Sequence, residues 1–199
     1  MTPFGVLRAR AVPIAISIVD TDQIIPARFL RRPRGPGHAR LLFHDRRADG
    51  SFALDRAEFA GAEILVSAGE FGTGSAREQA VWALSAHGLR CVIAPRFGAV
   101  FRENAIRNGV LPVALAPERI ARLVALAEAR PDAAMAVDLP AQRVVDADGA
   151  EHGFAIDTFE KLLLTEGLDE MSLTLRNADA VAAFERAYDA RYPWMAPRR

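Results

Sequence analysis

The chain has 199 residues, with 25 Lys plus Arg balanced by 25 Asp plus Glu. Hydrophobic residues make up 51% and charged residues 25%, the composition of a folded globular protein rather than a disordered or collagen-like one. Balanced charge gives no global field toward nucleic acid or an anionic membrane, and no apolar run reaches the roughly 18–20 residues of a membrane span, so neither partner is expected.

The N-terminal apolar run "AVPIAISIV" contains a proline and runs straight into Asp20 and Asp22. It reads as a strand followed by the polar turn "DTD", not as a secretory leader, and a cytoplasmic location is expected. Pro26 breaks "IIPARFL" into a turn or short element. The next segment, "RRPRGPGHAR" (31–40), is rich in arginine, proline and glycine and has no apolar period, so it reads as a mobile loop.

"AEILVSA" predicts a buried strand, and "SAREQAVWALSAHG" a helix with Ala76, Ala80, Trp82 and Leu84 at helical spacing and Gly88 as its C-terminal cap. "LRCVIAP", the helix "FGAVFRENAIRNG" and "VLPVAL" follow. Strand–helix–strand–helix–strand predicts a parallel sheet. "APERIARLVALAEAR" predicts a helix with Pro117 in its first turn. Residues 134–156 read as strands and turns, with "DADG" as a hairpin turn. Thr158 and Asn177 are the expected caps of two last helices, and residues from about 193 to 199 read as a tail. One α/β domain over residues 1–199 is expected, with a mainly parallel central βαβ region.

Cys91 is the only cysteine, inside an apolar run. One thiol makes no internal disulfide and holds no zinc or iron–sulfur site alone, so it reads as a buried strand residue. His38, His44, His87 and His152 share no metal-binding spacing. No metal site is expected in this chain.

The chemistry concentrates in "EFGTGSAREQ" (70–79). Gly72 and Gly74 admit backbone angles closed to other residues and leave room for a ligand near the main chain. Ser75 is placed at or next to a helix start, where unpaired amides and the helix dipole favour an anion. Arg77 adds a planar fork suited to a carboxylate. The same residues also suit a plain cap, with Ser75 and Glu78 at capping-box spacing; local sequence leaves both readings open. A nucleotide P-loop is excluded because no Gly-Lys-Ser/Thr ending follows, and a serine-hydrolase elbow because position 77 is Arg. Asp20 and Asp22 flank Thr21 in a motif that could bind a metal or orient a partner group, or is a solvated turn. Arg31 and Arg32 open a segment that either recognises carboxylates or is plain surface.

Taken together, "VDTDQIIPARFL", "LLFHDRR", "ILVSAGEFGTGSAREQAVWAL", "VIAPRFGAVFRENAIRNGVLPV" and "LLLTEGLDEMSLTL" resemble the small subunit of 3-isopropylmalate dehydratase, of the aconitase superfamily, over nearly the whole chain. The resemblance implies an aconitase-type swivelling β/β/α domain. It implies a separate large subunit that carries a 4Fe-4S cluster, whose iron acts as a Lewis acid, and a small hydroxy-diacid substrate, 2-isopropylmalate, dehydrated and rehydrated in leucine biosynthesis. It assigns Ser75 as the base, Arg77 to a substrate carboxylate, Gly74 and Asp22 to the substrate site, and Arg31 and Arg32 to the substrate's variable end.

The family loop typically reads Gly-Cys-Gly-Ser-Ser-Arg-Glu-His, whereas Thr73, Ala76 and Gln79 stand here for the cysteine, second serine and histidine. These departures leave room for a paralogous hydratase acting on citraconate, maleate, dimethylmaleate or homoaconitate, or for a non-catalytic partner of the large subunit.

Overall fold

The computed structural model describes residues 1–75 and 77–195. In chain order the elements are β1 (Val6–Ile14), β2 (Ile18–Asp20), α1 (Thr21–Ile24), β3 (Ile64–Ser67), β4 (Glu70–Thr73), α2 (Glu78–His87), β5 (Cys91–Ala94), α3 (Ala99–Arg107), β6 (Leu111–Ala114) and α4 (Pro117–Ala129). They continue with β7 (Ala134–Asp138), β8 (Arg143–Val145), β9 (Glu151–Gly153), α5 (Thr158–Glu166), α6 (Glu170–Leu175) and α7 (Ala178–Arg191).

One sheet runs in the order β6-β5-β3-β1-β7-β8-β9. The pairs β6–β5, β5–β3 and β3–β1 are parallel, and β1–β7, β7–β8 and β8–β9 are antiparallel. A separate parallel pair joins β2 to β4, setting Ile18 opposite Glu70 and Asp20 opposite Thr73. The expected α/β class and parallel βαβ region are therefore present.

Alternation along the strands sends side chains to opposite faces, so continuous apolar runs mark strands covered on both sides. Ile64, Val66, Cys91, Ile93, Leu111 and Val113 pack with Ile120 and Leu123 of α4 and with Leu163 and Leu164 of α5. Leu65, Val92 and Ala94 belong to the opposite core, with Ala80, Val81 and Leu84 of α2, Phe71 and Phe101. Cys91 is fully buried, and burial pushes its thiol pKa up, so it is a core residue.

Several expectations need correction. The run read as one strand over 11–19 is two: β1 begins at Val6 and ends at Ile14, and β2 starts only at Ile18. The first half of β1, with Arg8 exposed between buried Leu7 and Ala9, pairs with β7; the second half, buried on both faces, pairs with β3. The segment 31–40 is irregular only over its first half: Pro36–Leu41 forms a 3-10 helix against α2, with His38 buried edge-on to the Trp82 ring.

Asp157, not Thr158, caps α5 by accepting from the amides of Phe159 and Glu160. Asn177 sits at the start of α7, but its amide donates to the Leu173 carbonyl rather than capping the helix. Gly88 ends α2 and Pro117 opens α4 as expected. Within the expected tail, 193–195 form a turn and 196–199 lie outside the described residues.

Candidate active site

The β2–β4 pair brings two segments more than fifty residues apart in sequence side by side. After β2 the chain enters α1, whose N-cap, Asp20, accepts from the Gln23 amide at 2.7 Å. After β4 it passes through Gly74 and Ser75 to α2. The turn "DTD" and the loop "GTGS" therefore occupy one sheet end, a usual place for ligands in α/β folds.

Ser75 does not cap α2. The helix begins at Glu78, its N-cap is Arg77 in extended backbone, and no side chain caps its first turn. Arg77 therefore sits where the capping serine was expected, and the Ser75–Glu78 capping box is not formed. Ser75 lies two residues further out, exposed, near a helix end that no side chain caps among the described residues. Ala76 lies outside the described residues.

Gly72 has φ +71°, and a Cβ there would lie 2.1 Å from Cγ of Phe101, so the ring closes the space to any side chain. Gly74 has φ +82° but open surroundings, the nearest atom to a Cβ being Cβ of Asp20 at 3.6 Å. Thus Gly72 is fixed by packing, and Gly74 is the pivot beside the DTD turn.

Arg77 reaches back across the loop to Asp22. Its Nη1 lies 2.6 Å from Oδ1 and its Nη2 donates to Oδ2 at 3.2 Å. The Nη1 approach is off the N–H direction, so this buried nitrogen has no well-aligned acceptor. The Arg77 side chain is 17% exposed and that of Asp22 53%. The result is a mostly buried guanidinium with one exposed carboxylate resting on it. The Thr21 hydroxyl donates to the Ser75 carbonyl, tying the two segments together a second time.

The arginine segment reaches this end through α2. Nε2 of Gln79 lies 3.4 Å from the Leu30 carbonyl, which it faces as a donor. Arg31 and Arg32 follow Leu30 and are exposed; the Arg32 guanidinium carbon lies 5.1 Å from the centroid of Phe29. Arg28 covers the same ring at 4.6 Å and hydrogen-bonds Asp45. That hydrogen bond, with a second from His44, holds the Asp45 carboxyl down at about 2. A groove of about 570 Å³ lined by Glu78, Arg107, Asp169 and Glu170 does not include Ser75 or Arg77.

The structure thus brings Ser75, Arg77, Gly74 and Asp22 together and places Arg31 and Arg32 on a neighbouring segment. Thr21 was missed as a site residue. Its position between two aspartates was the only signal, and its partner is a backbone carbonyl that no side-chain pattern announces. Among the described residues no group of three or more His, Cys, Asp or Glu could hold a metal, and Cys91 is buried, so these residues do not fit a cluster. Among the same residues no helix is long and apolar enough to cross a membrane.

Comparison with known proteins bears on the family and the fold. The family model described as the aconitase C-terminal domain matches residues 1–118. Another, for the C-terminal domain of the 3-isopropylmalate dehydratase small subunit, matches residues 172–198. The 3-isopropylmalate dehydratase small subunit of Acidothermus cellulolyticus is 50% identical over 185 residues, covering 93% of each chain. That of Salinispora tropica is 46% identical over 196 residues, covering 98% of this chain and all of the relative. A crystal structure of 3-isopropylmalate dehydratase from Methanocaldococcus jannaschii superimposes with a TM-score of 0.66 at 25% identity, covering 89% of this chain and 99% of that one. The fold is of the aconitase type, and the chain belongs to the 3-isopropylmalate dehydratase small-subunit family.

Proposed function

We propose that this chain is the small subunit of a hydro-lyase that interconverts 2-isopropylmalate and 3-isopropylmalate, with Ser75 as the base and Arg77 as the carboxylate anchor. The Arg77–Asp22 pair beside Ser75 carries the reading. A mostly buried guanidinium that already holds one exposed carboxylate through both Nη atoms is a fork suited to carboxylates.

On this reading Arg77 binds the substrate carboxylate next to the carbon that loses its proton. Negative charge develops on that carboxylate as Ser75 Oγ takes the proton, and the fixed guanidinium stabilises it there. A neutral serine hydroxyl is a poor base; the uncapped end of α2 and the cation at Arg77 favour its alkoxide. The hydroxyl leaves the neighbouring carbon as the double bond forms, so the elements of water are lost. Water then adds the other way round, hydroxyl to the carbon that lost the proton and proton to the carbon that lost the hydroxyl, which completes the isomerisation. Asp22 orients the fork. Arg31 and Arg32 face the variable end of the diacid.

Ser75 and Asp22 are exposed in this chain alone. A base open to water is poorly placed to deprotonate carbon, so the site is half of one, closed by a large subunit. The 4Fe-4S cluster belongs to that partner on this reading, because the residues here offer no ligand set.

The test is reconstitution with the large subunit and assay of both directions. Ser75→Ala should lower kcat by roughly 1,000-fold or more with the heteromer intact. Turnover by that variant at the wild-type rate would remove Ser75 as the base. A stable heteromer of the wild-type chain that turns over no diacid would make it a non-catalytic partner.

One observation favours a second reading. Gln79, which stands for the family histidine, faces the Leu30 carbonyl at the root of the arginine segment. That departure is positioned to reshape the substrate's far end, so a paralogous hydratase for citraconate, maleate, dimethylmaleate or homoaconitate is the alternative. Relative kcat/KM across these diacids and isopropylmalate separates the two.

A further inference from the structure

We infer that Thr21 is a positioning residue that aims the Ser75 side chain by holding its backbone carbonyl. This rests on Ser75 being the base.

Thr21 is 1% exposed, yet its hydroxyl is not spent inside its own helix. It donates to the carbonyl of Ser75, across the β2–β4 junction. Thr21 is itself immobilised. Asp20 caps α1, and the Thr21 carbonyl accepts from the Ile25 amide at 2.9 Å. Its branched Cβ further limits its rotamers.

The loop it holds needs a restraint at that point. Upstream, Phe101 blocks any movement of Gly72 toward it. Gly74, next to Ser75, has no comparable wall, and glycine rotates freely. Downstream, Arg77 is pinned by Asp22, but through a long side chain. Fixing the Ser75 carbonyl fixes ψ of Ser75, and with it the backbone from which Oγ projects. A displacement of about 1 Å at a reacting atom costs on the order of 100-fold in rate. A hydroxyl that holds ψ therefore acts on kcat while touching no substrate.

Stability should respond little. Thr21→Val removes one part-buried hydrogen bond to an otherwise exposed residue, and valine keeps the shape of threonine. The experiment uses the reconstituted heteromer with Thr21→Val, Thr21→Ser, Ser75→Ala and the Thr21→Val/Ser75→Ala double variant. Thr21→Val should lower kcat by roughly 10- to 100-fold, with KM within about threefold and assembly and Tm close to wild type. Thr21→Ser, which restores the donor, should recover kcat to within about threefold of wild type. In the Ser75→Ala background, Thr21→Val should change the residual rate no further, because two residues acting as a unit are not additive.

A Thr21→Val kcat within about twofold of wild type overturns the positioning role while leaving an inactive Ser75→Ala, and so the base, untouched. A Thr21→Val loss that Thr21→Ser does not recover, or that repeats in full on top of Ser75→Ala, also overturns it. Ser75→Ala at the wild-type rate takes down both readings.

Discussion

At Arg77 the protein carries its own carboxylate. Asp22 rests on the fork at 2.6 and 3.2 Å, so on the proposed reading a substrate carboxylate arrives at a guanidinium that is already paired. Binding the first carboxylate is then an exchange and a realignment, and contributes less affinity than capture by an isolated cation. Selectivity must come from the remainder of the diacid. The planar fork matters more than the charge, so Arg77→Lys should lower kcat/KM by roughly 10- to 100-fold, the worth of one charge-assisted hydrogen bond of about 1.5–3 kcal/mol. Steady-state kinetics on the heteromer checks this; a loss under threefold would show that only charge is needed. Ser75 and Arg77 were legible as residue types and spacing. Their surroundings were not: the Asp22 pairing and the Thr21 donor join positions that only the parallel pairing of β2 and β4 makes neighbours.

At the scale of elements, the loop between β4 and α2 is shaped by an aromatic wall. Phe71, Phe97 and Phe101 form a contiguous ring cluster, and Gly72 lies directly against Phe101. Gly72→Ala must both adopt φ +71° and displace that ring, so it should destabilise the chain by about 2–4 kcal/mol. Gly74→Ala meets only the backbone penalty of φ +82°, about 1 kcal/mol. Urea unfolding of the two variants should separate them clearly, and equal losses would mean the Phe101 contact is not limiting. Helix α2 itself was legible from its apolar spacing, but its start was not. Ser75 with Glu78 matches a capping box, and the reason it fails is the course of the chain: Gly74 takes positive φ and Arg77 stays extended, which delays the first helical turn to Glu78. The first half of β1 was overlooked because Arg8 and Arg10 interrupt its apolar run. Their alternation with Leu7, Ala9 and Ala11 is what a strand with one covered face requires.

Across the whole molecule, the antiparallel half of the sheet is fastened to α4 by a buried carboxylate. Asp146, in the β8–β9 turn, accepts from Nε of Arg122 at 2.7 Å, lies 3.1 Å from Nε2 of His152, and accepts the amides of Asp148 and Ala150. Burial alone would raise its pKa; Arg122, His152 and the two amides outweigh that and hold it well below the usual carboxylate range. A carboxyl held lower in the folded than in the unfolded chain adds stability that is complete above its unfolded value, about 4, and is lost as pH falls below it. Asp146→Asn should therefore cost about 3 kcal/mol at pH 7 and flatten the fall in stability on acidification. Urea melts from pH 7 down to about pH 2 would check both, and parallel acid limbs in the two proteins would clear Asp146 as a source of acid sensitivity. The turn was legible in "DADG"; the role of its first aspartate was not, since Arg122 lies on a helix that precedes the hairpin.

The placement of β1 has a consequence for how the chain is made. Its second half pairs with β3, setting Ala11 opposite Ile64, while its first half waits for β7, setting Val6 opposite Asp138. β1 precedes β7 by more than a hundred residues and thus keeps half of one edge unpaired until β7 has been synthesised. Such distant pairing slows folding and leaves an edge exposed to wrong partners in the meantime. Arg8 and Arg10, which conceal the strand from a search for apolar runs, lie in that waiting half, where charge discourages another chain from pairing first.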